Sequence, residues 1–205
     1  MSTITHTDRD PTGTGGRLRA RRFCVMAALA ALAAVGASAA ESQPASVTVQ
    51  EDRGLYRVAA SFVTPQSSAV AQDVLTDYEA IPRFMPDVQS SRIVERRATS
   101  IVVEQEAVAR VLFFSKRIHL VLDVRAEPGR IRFRDEGGQS FTRYEGTWTL
   151  CERDGRAVVS YELLARPAFD VPEFLLTRLL KRDADRMIAR LQTEMAARAA
   201  GAPRR

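Results

Sequence analysis

Cysteine and histidine are scarce in this chain of 205 residues, which contains two of each. Cys24 and His6 lie near the amino terminus, within a segment that we expect to be removed, so that Cys151 and His119 would remain. A single cysteine cannot form an intrachain disulfide. A single histidine cannot build a histidine-rich metal site, and a cysteine without a histidine partner is a poor nucleophile. The composition therefore predicts no metal, no cofactor and no catalytic residue of these kinds.

The chain also lacks an apolar run of the ~20 residues that a membrane-spanning helix needs. Its apolar run from Phe23 to Gly36 follows the basic segment Arg17–Arg22 and precedes Ala37-Ser38-Ala39. This order is typical of a cleaved secretory signal peptide. We expect residues 1–39 to be a signal peptide and the protein to be exported to the periplasm, by the Sec or the twin-arginine route. An uncleaved membrane anchor is the alternative.

A strong excess of charge is absent once this segment is set aside. Residues 1–39 contain five basic and two acidic residues, which leaves 25 basic and 23 acidic residues in the rest of the chain. So balanced a domain gives no indication of a nucleic-acid partner. The last helix is locally basic, which fits either a solvated surface or peripheral contact with anionic lipid headgroups; its basic residues are Arg178, Lys181, Arg182, Arg186 and Arg190. The sequence identifies no protein partner.

The remaining chain is rich in strand patterns. After a polar linker at 40–46, an extended segment and a strand over Leu55–Val63 lead to Thr64-Pro65, a predicted helix start. Asp77 is a predicted cap for a second short helix that ends at Pro86. Six strands follow, at 88–97, 100–111, 116–126, 130–135, 141–152 and 157–165. Their short turns contain Pro128-Gly129, Gly137-Gly138 and Asp154-Gly155, so the strands should form an antiparallel meander.

One face of this sheet is apolar, and the last helix has an apolar stripe to match it. The predicted stripe is Leu176, Leu180, Ala184, Met187, Leu191 and Met195, on a helix from about Pro172 to Ala197. We therefore predict an α+β fold in which a curved antiparallel sheet of about seven strands surrounds a long carboxy-terminal helix, with two short helices after the first strand. The domain should span 47–197, followed by a flexible tail at 198–205.

Three segments carry a family resemblance: VLTDYEAIPRFMP from Val74, LFFSKRIHLVLDV from Leu112 and YEGTWTL from Tyr144. With the order of elements, they resemble the START-like (SRPBCC) superfamily, and within it the coenzyme-Q-binding and polyketide cyclase/dehydrase group. The resemblance implies a helix-grip fold with a lipophilic cavity between the sheet and the last helix. Members of the superfamily bind lipids, quinones, polyketides or plant hormones, and some are enzymes, so the fold alone does not select a function.

Nine residues are candidates for lining this cavity: Phe84, Met85, Leu120, Leu122, Phe133, Trp148, Tyr161, Leu176 and Leu180. Trp148 and Tyr161 would each offer a polar atom to a ligand oxygen. Plain core packing is the alternative for all nine.

Other polar residues have simpler explanations. Glu104 and Glu106 share a strand face that we expect to be solvated, and Tyr78 is expected to pack in the core. An enzyme would have to direct a titratable group into the cavity, for which Arg143, Glu145 and Arg178 are the candidates.

The sequence thus predicts a protein that binds a hydrophobic small molecule, a lipid or an isoprenoid quinone, and carries or sequesters it without catalysis. A cyclase or aromatase enzyme is one alternative. A module that docks on another protein through its basic last helix is the other, and it would need an exposed apolar patch.

Overall fold

The computed structural model describes residues 45–201, except for residues 112–113 and the side chains of residues 111 and 114. The expected signal peptide, most of the expected linker and the end of the expected tail lie outside this part of the chain. No helix within it combines the length and the apolar composition that a bilayer crossing requires.

Eight strands of the described chain form one curved, open antiparallel sheet. They are β1 (Ser46–Asp52), β2 (Leu55–Thr64), β3 (Val88–Arg96), β4 (Ile101–Val111), β5 (Phe114–Glu127), β6 (Arg130–Asp135), β7 (Phe141–Arg153) and β8 (Arg156–Pro167). The spatial order β1-β2-β8-β7-β6-β5-β4-β3 confirms the predicted meander and adds β2 beside β8. The sheet has one strand more than predicted because Ser46–Asp52 pairs with β2 along its whole length. The short helices consequently follow the second strand.

Helices occur at two places in this part of the chain. Helix α1 (Ser68–Thr76), a 3-10 turn (Tyr78–Ala80) and helix α2 (Ile81–Phe84) lie between β2 and β3, and helix α3 (Glu173–Ala199) follows β8. The predicted start of α1 at Thr64-Pro65 was wrong. Thr64 is the last residue of β2, where it pairs with Ala157, so it cannot cap a helix. Ser67 is the cap, and its hydroxyl accepts a hydrogen bond from the N–H of Val70 at 3.4 Å.

The core lies between the inner face of the sheet and α3, as the apolar patterns predicted. The buried residues of α3 are Leu176, Leu179, Ala184, Ile188, Leu191 and Met195. Leu179 and Ile188 therefore take the places that we predicted for Leu180 and Met187. Those two residues are half-buried at the edges of the stripe, and Met187 borders the cavity described below.

The carboxyl end of α3 is joined to α1 by ion pairs. The guanidinium of Arg198, whose side chain is 9% exposed, lies 3.1 Å from Asp73, 3.0 Å from Asp77 and 2.8 Å from Glu194. Asp77 makes no capping hydrogen bond, contrary to our prediction, because its carboxylate faces Arg198. These contacts explain why α3 continues to Ala199, beyond the predicted end at Ala197.

Candidate functional site: a cavity between the sheet and the last helix

A cavity of about 710 Å³ lies between the inner face of the sheet and α3. Strands β5 to β8 form its floor, α1 and α2 form one side, and the middle of α3, from Asp183 to Leu191, covers it. Its volume is within the range of roughly 300–1,000 Å³ that is typical of small-molecule sites.

Six of the nine predicted residues line this cavity: Phe84, Met85, Leu122, Phe133, Trp148 and Tyr161. The other three, Leu120, Leu176 and Leu180, do not. Leu120 is 6% exposed and belongs to the packed core, although it shares a strand face with Leu122. Leu176 packs in a separate cluster with Tyr56 and Leu179 at the start of α3, and half-buried Leu180 packs beside it. Only the middle of the helix borders the cavity, and the sequence pattern did not reveal this.

Aromatic rings form much of the floor. The rings of Trp148 and Tyr161 lie 4.3 Å apart between centroids, and Phe133 lies 6.3 Å from Tyr161 and 5.9 Å from Tyr144. Such neighbouring rings give a large, rigid apolar surface. Tyr144 lies four residues before Trp148 in the segment YEGTWTL, so strand alternation predicts that both side chains share one face, although Tyr144 was not chosen as a site residue.

Three tyrosines, Tyr78, Tyr144 and Tyr161, line the cavity. Burial raises the pKa of Tyr78 to about 12 and that of Tyr144 to about 12, and it raises the pKa of Tyr161 well above its ordinary value. All three are therefore neutral hydroxyls at physiological pH. Tyr78 packs in the core, as predicted, and its buried hydroxyl is also a hydrogen-bond donor without a partner among the described residues.

The mouth of the cavity is charged. Asp87 and Arg110 on the sheet side, and Asp183, Arg186 and Arg190 on α3, line it. These five residues were not predicted as site residues, because their proximity depends on where α3 crosses the sheet. Gln105 also lines the cavity, and its amide donates to the hydroxyl of Ser91 at 3.1 Å.

The weaker sequence candidates for chemistry lie elsewhere. Arg143 and Glu145 form an ion pair with each other, and neither they nor exposed Arg178 line the cavity. Glu104 faces away from the cavity, where hydrogen bonds from His119 and Arg92 lower its pKa. Cys151 is an exposed free thiol. In the part of the chain that the structure describes, no three His, Cys, Asp or Glu side chains converge as a metal site would require.

Solved structures share this architecture. A STAR-related lipid transfer protein from Xanthomonas axonopodis is 19% identical, with a TM-score of 0.60 over 75% of this chain and 94% of its own. The Zhui aromatase/cyclase from a Streptomyces species is 13% identical, with a TM-score of 0.61 over 71% and 96% of the two chains. A protein from Thermus thermophilus is 20% identical, with a TM-score of 0.59 over 69% and 97%. At these identities the likeness shows the fold.

No curated protein is significantly similar to the chain in sequence. One family model matches residues 65–192, from just before α1 to the last third of α3 and thus across every wall of the cavity. Because this match covers more than half of the chain, the protein belongs to the family described as polyketide cyclase / dehydrase and lipid transport.

Proposed function

We propose that the protein binds a hydrophobic small molecule, a lipid or an isoprenoid quinone, in the cavity and carries or sequesters it. The observation that carries this proposal is the cavity itself, about 710 Å³ of space under α3 with an apolar floor. A cleft of this size that is open at one end and has an apolar floor is the usual form of a small-molecule site. The lipid-transfer relative of the same fold supports this class of ligand.

The hydroxyl of Tyr78 supports a ligand with at least one oxygen. A buried hydroxyl without a partner costs about 1–3 kcal/mol, and a carbonyl or hydroxyl of a ligand would remove that cost. A quinone carbonyl and a lipid ester both have such an acceptor.

Extraction and titration test the proposal together. Organic extraction of the purified protein, followed by mass spectrometry, should release an apolar molecule in near-stoichiometric amount. A short-tailed ubiquinone analogue should quench the fluorescence of Trp148, the single tryptophan of the chain, because the indole lines the cavity.

Variants in one strand provide the control. Leu122→Phe enlarges a side chain that lines the cavity and should weaken binding of the analogue about tenfold or more, at little cost in stability. His119→Phe introduces the same ring on the opposite face of β5 and should leave binding unchanged. If extraction releases nothing and the analogue does not bind, the carrier function is wrong.

A second candidate, a cyclase or aromatase, is favoured by one observation. Three tyrosines with neutral hydroxyls line one cavity, and those of Tyr144 and Tyr161 hydrogen bond to each other. Such hydroxyls could polarise ketone oxygens of a folded chain. A cyclase would convert a linear poly-β-ketone to a ring with loss of water, which lowers the mass of the product. A carrier would release the added molecule unchanged, and mass spectrometry distinguishes the two. No observation favours the docking module, since the described surface exposes only Val94 and Phe174 as large apolar side chains.

A further inference from the structure

The charged residues of the cavity lie together at its mouth. A guanidinium nitrogen of Arg110 lies 2.7 Å from a carboxylate oxygen of Asp87, and Arg182 donates to the carbonyl oxygen of Arg110 at 2.9 Å. These contacts connect the end of β4 to α3 beside Asp183. The charged lining residues are all exposed or half-exposed, whereas the floor residues Leu122, Val124 and Ile131 are buried. The cavity therefore changes from charged at its mouth to apolar at its floor.

The two acidic residues at the mouth already have basic partners. Asp87 pairs with Arg110, and Asp183 lies 3.3 Å from a guanidinium nitrogen of Arg182. Arg186 and Arg190 form no ion pair with any described residue, although the charge of Arg186 favours the ionised form of Asp183. The mouth therefore has two arginines whose charge is not neutralised by an ion pair in the described part of the chain.

Arg186 and Arg190 are four residues apart, so they lie next to each other on one face of α3. Like charges at this spacing destabilise a helix slightly, and an anion between them would remove the repulsion. Guanidinium groups also match carboxylate and phosphate oxygens in geometry, since each can donate two parallel hydrogen bonds. Both side chains line the cavity. A ligand whose anionic group binds to them could therefore extend its apolar part into the interior.

We propose that the cavity takes an anionic amphiphile, a molecule with one long apolar tail and a carboxylate or phosphate head, and that Arg186 and Arg190 bind the head. This inference rests on the proposed function and selects a charged lipid over a neutral quinone. The tail would lie on the aromatic and aliphatic floor, with the buried end of the cavity free of charged side chains.

Three probes with the same oleyl or oleoyl chain test this on the full protein, each titrated below its critical micelle concentration against Trp148 fluorescence. They are oleate, oleoyl lysophosphatidic acid and oleyl alcohol. At least one anionic probe should bind about tenfold or more tightly than the alcohol, as expected for charge-assisted hydrogen bonds to the head. The preferred head, carboxylate or phosphate, identifies the source of the anion.

Two double variants that each remove two positive charges distinguish binding at the mouth from an effect of the protein's net charge. Arg186→Gln with Arg190→Gln should reduce the ratio of anion to alcohol affinity to about one. Arg153→Gln with Arg156→Gln removes the same charge from the exposed β7–β8 turn, away from the cavity lining, and should keep the ratio of the wild type.

Equal affinities of the wild type for the alcohol and for both anions would overturn the anionic-head proposal, while the carrier function would stand. An anion preference that both double variants reduce equally would also overturn it, because the effect would then come from net charge. If the wild type binds none of the three probes and no quinone analogue, the carrier function itself fails. The comparison of the anionic probes with oleyl alcohol uses only the wild-type protein, so it tests the proposal even if a variant does not fold.

Discussion

At the scale of the residue, the cavity depends on side chains and backbone positions whose roles are not evident from residue type. Gly146 lies in β7 directly opposite Phe133 of β6. A methyl group on Gly146 would lie 2.5 Å from the ring carbon Cζ of Phe133 and would also contact the backbone oxygen of Glu162. The glycine therefore allows the ring of Phe133 to lie across the strand and to line the cavity.

Gly146→Ala should destabilise the protein by about 1–3 kcal/mol, because the added methyl overpacks a position bounded by a backbone oxygen. It should also weaken ligand binding, since the ring of Phe133 has to move. Chemical denaturation and the fluorescence titration measure the two effects. Thr149→Ala, at an exposed position of the same strand, is the control and should change neither. Equal stability of the two variants would contradict this packing.

Tyr78 should make stability depend on pH in the alkaline range. Its pKa is about 12 in the folded protein against an ordinary value of 10.0, so the unfolded chain loses the proton first. The stabilisation is fully present below pH 10 and is lost as the pH rises to 12, by about 3 kcal/mol for two pH units. In Tyr78→Phe, the loss of unfolding free energy between pH 10 and 12 should be smaller by about that amount. Denaturation curves at pH 8, 10, 11 and 12 would contradict this if variant and wild type changed in parallel.

At the scale of the element, α3 has different roles along its length. Its first turns pack on Tyr56, its middle covers the cavity, and its end pairs with α1 through Arg198. Ile188 and Met195 are almost fully buried against the sheet, whereas Arg186 and Arg190 are exposed at the mouth. One amphipathic helix thus completes the core and also forms one side of the mouth.

Ile188→Asp should be far more destabilising than Arg178→Asp, although both place an aspartate in the same helix. Ile188 is 1% exposed, so the new carboxylate would be buried without a partner, at a cost of about 4 kcal/mol or more. Arg178 is exposed, and its replacement should cost less than about 1 kcal/mol. Melting temperatures measured side by side test this, and similar values would show that the inward face of α3 is assigned incorrectly.

At the scale of the whole molecule, the domain is a sheet and a helix that enclose a cavity, and each is needed to cover the apolar face of the other. Residues 1–39 were predicted from sequence to be a signal peptide. We propose on that basis that the domain carries its ligand outside the cytoplasm, in the periplasm.

The mature protein should begin at Ala40 or Glu41, because the small residues Ala37 and Ala39 form the expected cleavage site. The intact mass of the protein from a periplasmic fraction measures this directly. Ala39→Arg places a large charged residue next to the cleavage site and should retain the leader. A wild-type protein that keeps Cys24 and sediments with the membranes would show that the segment is an anchor.

The sequence by itself determined the architecture of this protein. The alternation of apolar and polar residues and the short hairpin turns identified the ends of β3 to β8 to within two residues, and the periodicity of α3 predicted which elements pack together. These properties are local, so a single strand or helix is enough to reveal them. Leu122, Phe133, Trp148 and Tyr161, four of the nine candidates chosen from the sequence, line the cavity on the sheet side.

Only the tertiary structure decided which part of α3 borders the cavity and which charges meet at its mouth. The crossing of the helix over the sheet excludes Leu176 and Leu180 from the cavity and brings Arg186 and Arg190 to the side of it that Arg110 and Asp87 also line. Helical periodicity shows which face of the helix points inward. It does not show which part of the helix borders the cavity and which part packs against the sheet. That position depends on the fit of side chains that are distant in sequence, here the packing of Tyr56 at one end of α3 and the ion pairs of Arg198 at the other.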